Sequence, residues 1–189
     1  CSTKPITYQR NKVVPNAEGT ILEIGIGSGL NIPYYQKSNI KKIYGLDPSP
    51  ELCEMAEKAA HNNEIKIDFL IEGAEEIKLP SQSIDTVLIT YTLCSIPNPN
   101  DALKEMKRVL KHDGKILFCE HGAAPDLNVF KWQNRINPLW GKLFGGCNIN
   151  RDIPSIILNS GFKINNLEQM YLPSTPKIVG YNYWGCATI

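Results

Sequence analysis

The sequence predicts an α/β fold built on a doubly wound, Rossmann-like parallel sheet, and three observations lead there. Short β-branched runs alternate with helical patterns from about residue 20 to residue 121. The connections between them are too long for hairpins and suit right-handed crossovers. One run, Ile84–Thr90, is largely apolar on both faces, as a central parallel strand must be.

Taken in order, Thr20–Gly25 is the first strand and Ile40–Leu46 the second, with Asp47 at its end. Ser49 then caps a helix whose first position is Pro50. Leu52, Met55, Ala56 and Ala59 recur at helical spacing and predict a helix over 50–61 with that stripe buried. Ile65–Ile71 and Ile84–Thr90 are the third and fourth strands. Asn98 opens a second helix with Leu103, Met106, Val109 and Leu110 inward, and His112-Asp113-Gly114 turns the chain into a fifth strand, Lys115–Glu120. The rhythm then breaks. Residues 122–150 form an aromatic insert carrying Phe130, Trp132, Trp140 and Phe144, divided by Pro125 and Pro138 and closed by Gly145-Gly146. Helical pattern returns at Ile153–Ser160 with Gly161 behind it, and two strand-like runs follow near Phe162–Tyr171 and Ile178–Ala187. Residues 1–189 are expected to form one domain, with 122–150 placed to cover an acceptor.

Composition narrows the partners. Twenty Lys and Arg against nineteen Asp and Glu leave a formal charge of +1. That balance gives no footprint for a nucleic-acid backbone and does not support peripheral membrane contact, so a small molecule is the expected partner. The longest apolar stretch, Thr86–Ile96, is too short to span a bilayer, and no basic-then-apolar start reads as a signal peptide. A cytoplasmic location is expected, although a chain that opens at Cys1 rather than Met leaves an upstream anchor open. Of six cysteines, the closest pair is 25 residues apart (Cys94 and Cys119), so local zinc-ribbon or redox spacing is missing. Cys94 and Cys147 invite a metal or nucleophile reading, but two thiols alone make a poor zinc site, so no metal is expected and the sequence leaves Cys147 without an assigned role; Cys53 and Cys119 read as buried, reduced thiols.

The sharpest feature is Glu23-Ile-Gly25-Ile-Gly27-Ser-Gly29-Leu-Asn31, directly after a strand. Glycines at 25, 27 and 29 let the backbone turn and approach a ligand closely. A dinucleotide fingerprint would put its third glycine at position 30, which is Leu30, and the Lys-Ser/Thr of a P-loop is missing as well. Asp47 ends the neighbouring strand, where a carboxylate can accept both hydroxyls of a ribose; capping the next helix is its plainer role, but Ser49 already does that. Loop and acid together favour a nucleoside ligand without a pyrophosphate.

An acid, then Gly-x-Gly-x-Gly, then an acid ending the second strand resembles the class I S-adenosylmethionine-dependent methyltransferases. Asp85, the Pro97–Leu110 helix and the run His112–Glu120 resemble that family's later motifs. The resemblance implies a seven-stranded sheet, mostly parallel, with an antiparallel last pair. A narrower likeness rests on Lys12-Val-Val-Pro15, Gly45–Pro50, Thr92-Leu-Cys-Ser-Ile96, Glu120-His121 and Gly145-Gly-Cys-Asn148. It points to the bacterial relatives of the methyltransferase-like alkyl-thiol methyltransferases, some of which carry phospholipid N-methyltransferase labels. By position, the resemblance implies that Glu23, Gly25, Gly27 and Gly29 hold the methionine end of S-adenosyl-L-methionine, Asp47 the ribose, and Pro48 the adenine. Gly73-Ala74-Glu75 occupies the adenine loop, with Gly73 standing where an Asp side chain is common and Ala74 backbone or Glu72 as substitutes. Thr90 meets the methionine portion. The product is S-adenosyl-L-homocysteine.

For the chemistry, His121 is the candidate base, since it ends the fifth strand at the ligand edge and its reference pKa of about 6.5 suits proton removal near neutrality. A strand-end turn residue is the competing reading. His61 and His112 read as surface residues. Cys94 reads as small pocket lining. The expected function is methyl transfer to a small, largely apolar acceptor, with a thiol favoured by resemblance. A phospholipid-headgroup or other small-metabolite N-methyltransferase is the alternative within the class. A non-catalytic nucleoside-binding module and a nicotinamide oxidoreductase are the alternatives outside it, and Leu30 argues against the latter.

Overall fold

A computed structural model describes residues 3–189, so Cys1 lies outside the described residues. The elements run α1 (Lys4–Val13), β1 (Gly19–Ile24), β2 (Ile40–Leu46), α2 (Pro50–Asn62), β3 (Asp68–Leu70), β4 (Ile84–Thr90), α3 (Pro99–Val109) and β5 (Leu110–His121). After these come α4 (Leu127–Leu143), α5 (Ile153–Asn159), β6 (Lys163–Tyr171), α6 (Lys177–Gly180) and β7 (Tyr181–Thr188). All seven strands lie in one sheet of order β3-β2-β1-β4-β5-β7-β6. β1 to β5 pair in parallel, and β7 runs antiparallel to both β5 and β6. The strand order reverses between β1 and β4, which opens a crevice at their carboxyl ends.

Alternation along the strands splits the core into two layers. On one face Leu22, Val87, Ile89 and Phe118 pack beneath Leu103 and Met106 of α3 and Ile157 of α5. On the other, Ile21, Ile43, Leu88 and Leu117 pack beneath Val13 of α1 and Ala56 and Ala60 of α2. β4 is buried on both faces, which accounts for its continuous apolar run.

Local signals mostly act as expected. The Ser49 hydroxyl accepts from the Leu52 N–H at 3.2 Å, Asn98 accepts from the Asp101 N–H, and Gly161 sits at φ +80° behind α5. Four expectations need correction. α2 buries Cys53, Ala56 and Ala60, while Met55 is 52% exposed and Leu52 37% exposed; the flat sheet face admits small side chains, and the larger ones tilt outward. β5 begins at Leu110, because Ile84 pairs with Leu110 and Thr86 with Lys115, so residues 111–114 bulge from the strand instead of preceding it. β7 begins only at Tyr181, since residues 177–180 form a helical turn.

The fourth correction concerns the insert. Pro138 does not divide it, since α4 runs through Pro138 as 17 residues. The hydrogen bond that proline deletes is offset by lateral ties. Gln133 bonds the Gly122 and Ile178 carbonyls, and Asn137 accepts from the Ile149 N–H and donates to Asn148.

The two methionines that share the helical pattern make a test. Met106→Ala, at a fully buried site, should lower unfolding free energy by roughly 2–5 kcal/mol. Met55→Ala should stay within about 0.5 kcal/mol. Chemical denaturation of both variants checks the assignment of the buried stripe.

Candidate active site

Two cavities meet at the carboxyl edge of the sheet. The first, about 630 Å³, lies over the β1–β4 crevice. Gly25, Gly27, Asp47, Pro48, Thr90 and the 73–75 turn all reach its wall. Gly25 has φ +65°, and a Cβ there would stand 2.3 Å from the Thr92 side chain; Gly27 has φ +55°, and a Cβ there would meet only the Gly25 carbonyl oxygen, at 3.9 Å. The Asp47 carboxylate takes one backbone N–H on each oxygen, from Gly27 and Ser49, both at 3.0 Å. That fixes its plane and leaves lone pairs directed into the cavity for a ligand's hydroxyls.

Two residues expected at the ligand stand one layer behind. Gly29 faces Ile32 and Ala56 of α2 instead of the cavity. Glu23 is buried beneath the wall, accepting from Tyr35 Oη at 2.6 Å and Asn31 Nδ2 at 2.7 Å. β1 is buried on both faces from Ile21 to Ile24, so a side chain at position 23 is enclosed either way. Burial pushes its carboxyl up to about 7, with the Tyr35 and Asn31 hydrogen bonds and the Arg10 charge opposing. Glu72 serves its own turn, accepting from the Lys78 N–H.

Arg10 is the residue that sequence reasoning missed. It reaches the cavity from α1 and donates from Nη1 to Asn31 Oδ1 at 2.6 Å and to Thr90 Oγ1 at 2.7 Å. Its guanidinium lies 5.1 Å from the Tyr91 ring centre. It is buried, its Nε has no partner, and among the described residues no carboxylate pairs with it. A buried cation with an orphaned donor is a receptor for an anionic group.

The second cavity, about 690 Å³, shares Tyr91 and Ser95 with the first. Its walls include Ile6, Trp140, Phe144, Leu172 and Val179, and among the described residues neither Asp, Glu, Lys nor Arg lines it. Trp140 and Phe144 stack at 4.1 Å, whereas Trp132 is exposed and Phe130 does not reach this wall. Tyr91, at φ +54°, turns the chain sharply off β4. The Thr92 and Leu93 N–H groups then meet Glu120 Oε1 at 2.7 and 3.0 Å. Burial pushes the Glu120 carboxyl up to about 7 as well.

Cys94, His121 and Cys147 share one wall of this cavity. His121 Nε2 lies 3.2 Å from Cys147 Sγ. Hydrogen bonding from Cys94, then from His121, holds the Cys147 thiol far below its ordinary value, and Cys94 rises in return. Burial alone would lower the His121 imidazole, but its Cys147 contact and the Glu120 charge leave it raised. The spacing argument against a local ligand set was a poor guide, because the fold places these three ligand atoms within 4.8 Å of one another. The signal in the sequence was the Leu-Cys-Ser and Gly-Cys-Asn motifs. His61 and His112 are exposed, as expected.

Residues 22–118 match the family described as a methyltransferase domain. The chain is 32% identical over 172 residues to thiol S-methyltransferase TMT1B of Rattus norvegicus, covering 86% of this chain and 70% of that protein. It is 30% identical over 178 residues to thiol S-methyltransferase TMT1A of Homo sapiens, covering 92% and 72%. Among solved structures, a SAM-dependent methyltransferase from Aquifex aeolicus superposes with a TM-score of 0.65 at 18% identity, covering 98% of this chain and 89% of that one. That likeness concerns the fold.

Glu23 makes a pH test. Its carboxyl binds a proton more readily folded than unfolded, where its value is 4.5. Folding therefore takes up a proton between about pH 4.5 and 7, and the stability linked to Glu23 falls as pH rises through that window and levels above it. The full change is on the order of 3 kcal/mol, at about 1.4 kcal/mol per pH unit. Denaturant midpoints from pH 5 to 8 should show a smaller decline for Glu23→Gln than for wild type. Parallel declines would mean that Glu23 does not titrate there.

Proposed function

Since the chain belongs to the class I S-adenosylmethionine-dependent methyltransferases, we propose that its acceptor is a small, largely apolar thiol seated in the second cavity. The observation that carries this reading is that, among the described residues, no Asp, Glu, Lys or Arg lines that cavity. A phospholipid headgroup would bring a phosphate among mostly apolar walls that, among the described residues, no Lys or Arg reaches. A neutral alkyl thiol needs only apolar walls and a route for one proton. The thiol S-methyltransferases to which the chain is similar add support.

The first cavity suits the cofactor, which supplies a methyl group on a sulfonium. In this reading Arg10 takes the methionine carboxylate, with its orphaned Nε available as a further donor. Asp47 accepts from the ribose hydroxyls, and Pro48 and the 73–75 turn enclose the adenine through apolar surface and backbone groups. Gly25 and Gly27 let the backbone approach. Thr90 positions Arg10, and Glu23 holds Asn31, which positions Arg10 in turn. Tyr91 and Ser95, common to both walls, mark where donor and acceptor meet. The segment 122–150 covers the acceptor through Trp140 and Phe144, excluding water from an in-line displacement that depends on orientation and desolvation. His121 faces the acceptor from the end of β5 and, with Cys147, forms the polar patch that receives its proton.

Two measurements follow. Asp47→Ala and Arg10→Met should each weaken S-adenosylhomocysteine binding by ~1–3 kcal/mol, read by calorimetry on folded protein; unchanged affinity would remove that residue from the site. An acceptor panel with n-propanethiol beside phosphatidylethanolamine, followed by S-adenosylhomocysteine release, should show turnover with the thiol alone. Methylation of the amine and not the thiol would overturn the acceptor assignment.

A further inference from the structure

The Cys94–His121–Cys147 wall holds more ligand chemistry than a proton route needs. The three residues come from separate segments: the loop after β4, the end of β5, and the turn after α4. Their ligand atoms all lie within 4.8 Å of one another. Tetrahedral coordination at ~2.3 Å to sulfur and ~2.0–2.1 Å to nitrogen spaces ligand atoms ~3.5–3.8 Å apart, so shifts of some tenths of an ångström to about an ångström would close the set.

The surroundings are built to hold that spacing. Asn148, next to Cys147, donates to the Cys94 carbonyl from its backbone N–H at 2.9 Å and its Nδ2 at 3.1 Å, which ties one cysteine turn to the other. Arg151 Nη1 donates to the Leu93 and Ile96 carbonyls on either side of Cys94. Glu120, the residue before His121, keeps a buried Oε2 with no partner behind the cluster.

We propose that Cys94, His121 and Cys147 bind a zinc-class divalent ion whose fourth position opens into the acceptor cavity. Two thiolates and an imidazole suit a borderline-soft cation, and three protein ligands with one open position is the catalytic pattern for zinc. The inference deepens the thiol reading and rests on it for the fourth ligand. With His121 and Cys147 engaged as ligands, the proton route differs from that of the metal-free patch: an acceptor thiol replaces the water at the open position, its S–H bond breaks, a sulfur–metal bond forms, and the proton leaves with solvent. The methylated product is a neutral thioether, a weaker ligand, and departs.

The test uses the full chain, untagged and reduced, freed of metal and titrated with Co²⁺. One equivalent should produce thiolate-to-cobalt charge-transfer absorption and tetrahedral visible bands, and Zn²⁺ should displace the cobalt. Adding n-propanethiol should shift the visible bands. Cys94→Ser and Cys147→Ser should each weaken Co²⁺ binding by at least tenfold, while Cys186→Ser, on β7 and outside the cluster, should leave it unchanged. Circular dichroism confirms that each variant is folded. No charge-transfer absorption from the reduced wild type, or absorption that survives both cluster variants, overturns the site. Metal binding without thiol turnover would keep the site and discard the acceptor, whereas undiminished thiol turnover by metal-free protein would keep the acceptor and discard the metal.

Discussion

The Arg10 guanidinium sits in the wall of the first cavity with the Thr90 hydroxyl and the Asn31 amide oxygen as its hydrogen-bond partners, and Asn31 passes its own N–H groups to Glu23 and Thr90. This chain of polar contacts joins α1, β1, the glycine loop and β4. Burying a guanidinium costs several kcal/mol unless its donors are satisfied and its charge is met. Neutral oxygens satisfy Nη1 in part, and the burial-raised Glu23 carboxyl stands one residue removed. The positive charge is therefore left to face the cavity. Ligand affinity here is stored as an unmet demand of the fold.

Around that constraint the edge of the sheet divides its labour. One cavity is charged, with Arg10 and Asp47 both on its wall. The other has mostly apolar walls, with Ser, Thr and Asn side chains among the aromatic and aliphatic ones, and a sulfur–imidazole patch. The dividing wall is a strained turn: Tyr91, a non-glycine at φ +54°, is held by its N–H on the Cys119 carbonyl and its hydroxyl on Asn182. Strain of this kind costs on the order of 1–3 kcal/mol and persists only where neighbours enforce it. Here it brings Thr92–Ile96 under both cavities.

What could be read from the sequence was set by local chemistry. Strands β2 and β4 carry β-branched runs bounded by turn residues, Ser49 and Asn98 cap their helices, and Gly25, Gly27 and Asp47 line the first cavity as their motif implied. What could not be read depends on contacts far apart in the chain. Arg10 is one basic residue on an ordinary helix, and its neighbour Thr90 is 80 residues away. Cys94 and Cys147 meet through ties such as that of Asn148 to the Cys94 carbonyl, 54 residues away in the chain. Pro138 reads locally as a break, and α4 survives it through ties from Gln133 and Asn137 that no window of sequence contains. Glu23 shows the intermediate case: its motif was legible, but enclosure on both faces of β1 takes it off the ligand wall.

Arg10 belongs to α1, which precedes the sheet and packs on it through one short apolar seam. A ligand that meets the guanidinium therefore also fastens a peripheral helix. By mass action, occupancy of the first cavity and docking of α1 are one coupled equilibrium. Peptide bonds near Arg10 and Lys12 would be shielded in the loaded protein and cleaved faster in the empty one. On the proposed role of Arg10, tryptic clipping at the amino end should therefore slow as the first cavity fills, legible without measuring catalysis.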